Sequence, residues 1–157
     1  MPRGFWLFKS EPDVFSIHHL ANQPKGTAFW DGVRNHQSKL HLRDGVKPGD
    51  GILFWHSSCD LIGVAGEAVA AGPSAPDPTQ FDKKSDRYEP RATNKAPVWW
   101  GVPIRFVREF PNVLKAERLR KEKALANMMV LRRGARLSIQ PVTAPEWAAV
   151  LKAASAK

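Results

Sequence analysis

Short apolar runs separated by turn-forming residues predict five or six β-strands along the chain. The runs cover residues 5–8, 28–32, 51–56, 61–71, 98–110 and 137–142. Most of them are bounded by glycine, proline, asparagine, aspartate or serine, which favour turns. In the fifth run, Val102, Ile104 and Phe106 alternate with Pro103 and Arg105 until Val107 shifts the phase. Such a phase shift predicts a β-bulge at Val107.

Capping residues and apolar spacing predict four short helical regions between these strands. The regions cover residues 17–22, 36–43, 113–129 (as one helix or two) and the segment that begins at 144. Their caps are Ser16, Asn35 and, in a capping box with Glu146, Thr143. Ile17 and Leu20 share one face of the first helix, and Leu40 is the predicted core contact of the second. The last helix places Trp147, Val150 and Leu151 on one face.

Short, glycine-marked strands that are mostly joined by turns favour a small mixed or antiparallel β-barrel with peripheral short helices. This α+β architecture is more consistent with the pattern than a doubly wound parallel sheet. Residues 72–97 contain five prolines and predict a long loop, of the kind that is usually functional or mobile. The 157 residues suffice for one domain, and we expect residues 1–157 to form a single domain.

The charge of the chain is concentrated in one segment. The formal net charge is +9, and residues 112–136 hold eight basic side chains against two acidic ones. A concentrated basic patch is typical of nucleic-acid binding. The alternative is a solvated helix face that keeps the protein in solution.

Six tryptophans are a high number for this length. Trp30, Trp55 and the pair Trp99 and Trp100 lie among glycines and prolines rather than on periodic apolar faces. Tryptophans in such places are suited to stacking on a base. The alternative is that they fill the core, which we expect of Trp6 and Trp147.

The sequence lacks the motifs that are typical of several other classes of function. It has no phosphate-binding loop, no dinucleotide fingerprint and no nucleophile elbow. His56 and Cys59 have a spacing that suits a metal or a nucleophile pair, but no further ligands or orienting group accompany them. We therefore expect no metal, no cofactor and no catalytic activity. One cysteine and the lack of a long apolar segment predict a cytoplasmic protein that does not bind membranes, and we expect a monomer.

Several rare strings of residues occur in one order along nearly the whole chain. They are Trp6-Leu7-Phe8-Lys9-Ser10-Glu11-Pro12, Trp30-Asp31-Gly32-Val33-Arg34-Asn35, Phe54-Trp55-His56-Ser57-Ser58-Cys59, Gly63-Val64-Ala65-Gly66, Pro76-Asp77-Pro78-Thr79-Gln80-Phe81-Asp82 and Arg136-Leu137-Ser138-Ile139-Gln140-Pro141-Val142-Thr143. This order resembles the EVE domain family, in which a tyrosine usually occupies the place of Trp55. The resemblance implies a PUA-like barrel related to the ASCH and YTH modules. It also implies a pocket that recognises a modified base, with modified cytosine in DNA as the expected ligand.

The candidate site residues form two groups. The predicted base-binding pocket comprises Ser10, Glu11, Trp30, Asp31, Gly32, Val33, Asn35, Trp55, His56, Ser57 and Ser58. The predicted contacts to the nucleic-acid backbone are Lys9, Arg34, Arg132, Arg133 and Arg136. In this hypothesis Trp30 is an aromatic wall, and Glu11 accepts a hydrogen bond from an exocyclic amine. The alternatives are a core role for Trp30, a helix-cap role for Asn35 and a solvated surface for the arginines.

The leading hypothesis is thus a non-catalytic domain that binds a modified base, in DNA or RNA. One alternative is a general RNA-binding PUA-like module without a preference for modified bases. Another is an enzyme or a small-molecule or nucleotide sensor that uses the same pocket, which would place a perturbed His56 or Glu11 against a reactive centre.

Overall fold

One curved mixed sheet organises the chain. The computed structural model describes residues 3–134 and 136–155. Its strands are β1 (Phe5–Ser10), β2 (Thr27–Trp30), β3 (Gly51–His56), β4 (Gly63–Ala70), β5 (Ala75–Pro76), β6 (Trp100–Lys115) and β7 (Ile139–Val142). They lie in the order β2-β6-β4-β3-β1-β7, and β5 pairs with β6. β1 and β3 are parallel and in register from Phe5 opposite Gly51 to Ser10 opposite His56.

The sheet curls without closing into the predicted barrel. Within the described residues the terminal strands β2 and β7 have different neighbours and do not pair with each other. The curl nevertheless carries the Trp30 ring at the end of β2 to 5.2 Å from the ring of Phe8 on β1. The α+β class with short peripheral helices is confirmed, and the closed barrel is replaced by an open, strongly curved sheet.

Two hydrophobic clusters cover the two faces of the central strands. Successive side chains on a strand point to opposite faces, so Phe8 and Phe54 belong to one cluster while Leu7 and Leu53 belong to the other. All six residues of β3 are buried, which is typical of a strand covered on both sides. This alternation decides which aromatic side chains are able to reach any one cleft.

The helices are short and lie around the sheet. They are α1 (Pro12–Phe15), α2 (Ile17–Ala21), α3 (His36–Leu40), α4 (Ala116–Leu119) and α5 (Ala144–Ser155), with a π-helical turn at His41–Gly45 and 3-10 turns at Pro24–Gly26, Pro78–Phe81, Lys123–Leu125 and Met129–Leu131. The Ser16 cap of α2 and the burial of Ile17 and Leu20 are confirmed. In the part of the chain that is described, no helix is long and apolar enough to cross a membrane.

The second predicted helix is correct in its start and wrong in its core contact. The Asn35 side chain accepts a hydrogen bond from the Ser38 backbone amide at 2.9 Å, as a cap should. Leu40 is 38% exposed, and Ser38 and Leu42 are the fully buried residues of this region. Ser38 and Leu42 are four residues apart and therefore share one helix face, whereas Leu40, two residues from each, points to the other side.

The region predicted as a basic helix is mostly not helical. β6 continues to Lys115 because it pairs with β4 as far as Gly63, and α4 then makes a single turn. Leu119, Leu125 and Met128 pack onto the sheet from α4 and the turns that follow. The bulge predicted at Val107 is confirmed, since Arg108 pairs with Glu67 and Phe106 with Ala68.

The C-terminal helix forms as its capping box predicts. The Thr143 amide donates to Glu146 Oε1 at 2.9 Å, and the Glu146 amide donates to Thr143 Oγ1 at 3.2 Å. Trp147 and Val150 are buried against the sheet, and Leu151 is half-buried.

His56 ties the end of β3 to the start of α2. The Ile17 backbone amide donates to His56 Nε2 at 3.1 Å, so this nitrogen must be unprotonated. Burial lowers the pKa of His56, and the charge of His19 lowers it further, while Glu109 opposes the shift. Protonation would turn the acceptor into a donor and leave a buried amide without a partner, at a cost of about 1–3 kcal/mol.

A histidine whose pKa is lowered by folding contributes stability that is complete above its unfolded pKa of about 6.5 and is lost as the pH falls through the folded pKa. We therefore expect the free energy of unfolding of the native chain to fall on acidification more steeply than that of His56→Gln. The glutamine keeps an acceptor for Ile17 and does not titrate. Urea unfolding between pH 5 and pH 8 measures this difference. Parallel curves for the two proteins would contradict it, because all other titrating groups are shared.

Candidate nucleic-acid interface

A cleft of about 580 Å³ opens where β1 and β2 end. Eight of the residues predicted from the sequence line it: Lys9, Ser10, Glu11, Trp30, Asp31, Gly32, Val33 and Arg34. They come from two segments that are distant in the sequence, the end of β1 and the turn after β2. The curl of the sheet brings these segments together.

Six further residues, which were not predicted from the sequence, also line the cleft. They are Val14, Phe15, Ala28, Phe29, Arg87 and Ser138. Val14 and Phe15 lie on α1, directly after Glu11, and Ala28 and Phe29 precede Trp30 on β2. These four could have been predicted from the sequence, because they lie close to predicted residues along the chain. Ser138 and Arg87 come from remote segments, although each lies in or near a string that resembles the EVE family.

Trp30 combines the two roles that the sequence left open. Its side chain is only 9% exposed and belongs to the core cluster, yet it also lines the cleft. The Phe54 ring meets it edge-on at 5.5 Å, and the Phe15 ring at 6.3 Å. These contacts hold the indole firmly, so the cleft has a rigid aromatic wall.

The turn after Trp30 is held by a buried carboxylate. Asp77 is 0% exposed. Its Oδ2 accepts from the Gly32 amide at 2.7 Å and from Arg34 Nη1 at 2.9 Å, while its Oδ1 accepts from the amide and the hydroxyl of Thr79 at 2.7 and 2.6 Å. Burial by itself raises the pKa of Asp77, but the hydrogen bonds from Thr79, Gly32 and Arg34 outweigh it and hold that pKa below its usual value. Asp77 therefore stays ionised at neutral pH.

Arg34 is engaged inside the protein rather than free for a phosphate. Besides its ion pair with Asp77, Nη2 donates to Thr79 Oγ1 at 3.0 Å and to the Arg87 carbonyl at 2.8 Å. Its guanidinium also lies 5.3 Å from the centre of the Trp99 ring. Arg34 lines the cleft as predicted. These internal contacts compete with a contact to a phosphate, and its backbone-binding role stays a prediction.

The long loop 72–97 is ordered by one buried glutamine. Gln80 Nε2 donates to the Asp77 and Trp99 carbonyls at 2.8 and 2.7 Å, and its Oε1 accepts from the Val98 and Trp99 amides at 2.9 Å each. The Glu89 amide donates to the Gln80 carbonyl at 2.9 Å. These bonds fix both ends of the loop segment that carries Arg87.

Arg87 lies over the turn at Gly32. A β-carbon on Gly32 would lie 2.6 Å from Arg87 Cζ, and the φ of Gly32 is +79°. The positive φ favours glycine here, and the Arg87 guanidinium fills the space that a β-carbon would take. Arg87 Nη1 is 3.8 Å from Asp31 Oδ1, which is an ion pair without a hydrogen bond.

The ionisable groups of the cleft have shifted pKa values. Burial, and then the negative charge of Asp77, raise the pKa of Asp31, and Arg87 and Arg34 oppose this only in part. Partial burial lowers the pKa of Lys9. The Ser10 hydroxyl donates to the Phe15 carbonyl at 2.6 Å, so it is available to a ligand only as an acceptor.

Five predicted pocket residues lie outside the cleft. Asn35 is exposed and serves as the cap of α3. Trp55 is 4% exposed in the second core cluster, because it points to the face of β3 opposite Phe54. His56 is paired with Ile17. Ser57 and Ser58 lie in the turn after β3, where the Ser57 amide donates to the Ser10 carbonyl at 2.9 Å and Ser58 has a φ of +54°.

Arg132, Arg133 and Arg136 are exposed and do not line the cleft. They precede Ser138, whose carbonyl accepts from the Lys9 amide at 2.8 Å. The turn that bears them thus leads into one wall of the cleft. Their contact with a nucleic-acid backbone stays a prediction.

Comparison with known proteins identifies relatives over nearly the whole chain. Human thymocyte nuclear protein 1 is 39% identical over an alignment of 163 residues, gaps included, and this alignment covers 93% of this chain and 72% of the relative. A crystal structure of a protein from Pseudomonas syringae is 41% identical with a TM-score of 0.89, covering 96% of this chain and 99% of the other. The crystal structure of the human THYN1 protein in complex with DNA containing 5-methylcytosine is 36% identical with a TM-score of 0.91, covering 98% and 99%.

A family model gives the same result as these pairwise similarities. The EVE domain model matches residues 4–153, which include every strand, the turn at Gly32 and the loop that carries Arg87. The structural matches also confirm the PUA-like fold class. The chain therefore belongs to the EVE domain family.

Proposed function

We propose that this protein is a non-catalytic domain that binds DNA by inserting a modified cytosine, 5-methylcytosine in the first instance, into the cleft between β1 and β2. The observation that carries the proposal is the similarity, across 98% of the chain, to the human protein crystallised with DNA containing 5-methylcytosine. The cleft lies in a segment that this similarity covers, and its chemistry suits a base.

The dimensions and lining of the cleft fit an extruded nucleotide. Its volume of about 580 Å³ is within the roughly 300–1,000 Å³ of small-molecule sites. A base within a duplex must be turned out of the stack, which costs a few kcal/mol, and stacking on an aromatic side chain returns about 1–3 kcal/mol. Trp30, Phe15 and Phe29 supply aromatic surface. Ala28 and Val33 supply small apolar surface for a methyl group.

We assign the contacts with the DNA backbone to basic side chains at the rim of the cleft and outside it. Lys9 and Arg87 line the cleft and are suited to the phosphates on either side of an extruded base. Arg132, Arg133 and Arg136, which are exposed and precede Ser138 in the chain, are further candidates for these contacts. Such contacts provide affinity without sequence information and weaken with salt.

The position of His56 supports the non-catalytic assignment. The enzyme alternative would place a perturbed His56 against a reactive centre in the cleft. Burial does lower the pKa of His56, but its Nε2 is occupied by the Ile17 amide and the residue does not line the cleft. The monomeric state, the cytoplasmic location and the ability to bind RNA remain predictions.

Binding to matched oligonucleotides tests the proposed function. We expect tighter binding to DNA with one 5-methylcytosine than to the same DNA with cytosine, and we expect the ratio to persist from about 50 to 200 mM salt while both affinities fall. Fluorescence anisotropy measures the dissociation constants, with RNA versions included. Equal binding of all oligonucleotides that disappears at the higher salt would contradict the proposal and favour a general RNA-binding module.

Ser138 offers a matched pair of variants for locating the bound base. Ser138→Trp introduces an indole at the cleft wall and should lower affinity for the methylated DNA by tenfold or more, whereas Ser138→Ala keeps the space and should bind like the native chain. Thermal unfolding checks that both variants are folded. Unchanged preference in folded Ser138→Trp would mean that the base binds elsewhere.

The two arginines of the cleft should behave differently when each is replaced by alanine. Arg87→Ala should weaken binding to methylated and unmethylated DNA alike and reduce the slope of log affinity against log salt by about one. It should leave the free energy of unfolding within about 0.5 kcal/mol of native, as at most surface sites. Arg34→Ala should lower that free energy by about 3–5 kcal/mol, because it leaves the buried Asp77 carboxylate without its cation.

Urea unfolding and salt-dependent anisotropy on the same samples separate these outcomes. Arg91→Ala is a suitable control, since Arg91 is exposed, pairs with the nearby Glu89 and does not line the cleft. Equal destabilisation by Arg34→Ala and Arg87→Ala would show that Asp77 does not depend on its ion pair.

A further inference from the structure

A protein that recognises 5-methylcytosine must reject thymine, which carries the same methyl group. The two bases differ at position 4, where cytosine has an amino group that donates hydrogen bonds and thymine has an oxygen that accepts them. An apolar niche for the methyl group binds both. Rejection of thymine therefore requires a hydrogen-bond acceptor in the cleft at the position of that amino group.

We infer that Asp31 is this acceptor and that its carboxylate selects 4-amino over 4-oxo pyrimidines. The inference rests on the proposed function and adds the residue that determines which base edge is accepted. Asp31 lines the cleft next to the aromatic wall of Trp30, and its side chain is 37% exposed. A 4-oxo base in the same position would place two acceptors against each other.

The carboxylate of Asp31 has unused hydrogen-bonding capacity. In residues 3–134 and 136–155 its side chain makes one ion pair, with Arg87 at 3.8 Å, which is beyond hydrogen-bond distance. By contrast, the neighbouring carboxylate of Asp77 accepts four hydrogen bonds and is 0% exposed. The backbone amide of Asp31 also acts on its own carboxylate as a hydrogen-bond donor, but a carboxylate has about four acceptor sites, so Asp31 keeps capacity to accept from a ligand.

The turn holds Asp31 in place before any ligand arrives. The amide of the next residue, Gly32, is bonded to Asp77 at 2.7 Å, and the guanidinium of Arg87 packs on the same glycine. A preorganised acceptor loses less conformational entropy on binding than a mobile one. The positive charge of Arg87 also offsets part of the cost of enclosing the carboxylate beneath a base.

The other acceptors of the cleft are less suited to this role. Glu11, the residue that the sequence favoured, is exposed and makes no capping hydrogen bond at the start of α1. Its longer side chain must be ordered and stripped of water to act. Burial raises the pKa of Asp31, and the positive charges of Arg87 and Arg34 oppose this shift, which favours the ionised, acceptor-only form that rejects a 4-oxo base.

Four DNA oligonucleotides that differ at one base test the inference: cytosine, 5-methylcytosine, deoxyuridine and thymine in the same single-stranded sequence. The methyl pairs test the proposed function, and the amino-to-oxo pairs test Asp31. We expect the native chain to bind the 4-amino base at least tenfold more tightly within each pair. Asp31→Asn, whose amide is able to donate to a 4-oxo group, should reduce this ratio to about threefold or less while the methyl preference is retained.

Two matched variants complete the design. Glu11→Gln should keep the native ratio. Asp60→Asn makes the same change of charge at an exposed position outside the cleft, and it too should keep the ratio. Thermal unfolding of Asp31→Asn confirms that it is folded.

The outcomes of the two comparisons are independent. A native amino-to-oxo ratio that survives in Asp31→Asn, or is lost in Glu11→Gln instead, overturns the inference. So does a native chain that binds thymine as tightly as 5-methylcytosine. A native chain that prefers 4-amino bases through Asp31 but ignores the methyl group would keep this inference and overturn the proposed function.

Discussion

The buried carboxylate of Asp77 is the interaction on which the geometry of the cleft depends. A charge with no exposure to water is tolerated only when it is paired and fully hydrogen-bonded. Its partners are the Gly32 amide, the Arg34 guanidinium and two groups of Thr79. These bonds join the turn after β2 to the long loop. Asp77 thus fixes the turn that carries Asp31, and Arg34, which Asp77 holds, donates to the Arg87 carbonyl and joins that turn to the segment of Arg87.

Much of the fold could be predicted because its signals are local. The Ser16 and Thr143 caps, the bulge at Val107 and the strand at 51–56 each follow from a few adjacent residues. The predicted helix at 113–129 is wrong at its start, because pairing of β6 with β4 keeps the chain in a strand as far as Lys115. Such long-range pairing overrides local helix propensity. The prediction of a closed barrel was wrong for a similar reason. Closure requires the two edge strands to pair with each other, and the residues within each strand do not determine that pairing.

The candidate site shows the same division between local and long-range information. Residues around Trp30 were predicted because the turn is evident in the sequence, and they line the cleft. Trp55 was misassigned because strand alternation turns it to the opposite face from Phe54. Arg87 was missed because it reaches the cleft through the bonds of Gln80 with Trp99. No spacing rule connects residues 87 and 32, so only the folded chain brings them together.

The proposed function assigns the recognition of the base and the binding of the backbone to different residues. Arg34 is held by Asp77, so a residue that looks suited to phosphate instead keeps the turn rigid, and Arg87 takes the exposed position beside Asp31. Rigidity is what a discriminating cleft needs, because a single methyl group contributes only about 1–3 kcal/mol in an apolar niche. If a mobile turn displaced a polar group of the cleft, the lost interaction would cancel this small difference in binding free energy. Strong internal contacts at Asp77 thus keep in place the residues to which we assign a weak but selective contact with the base edge.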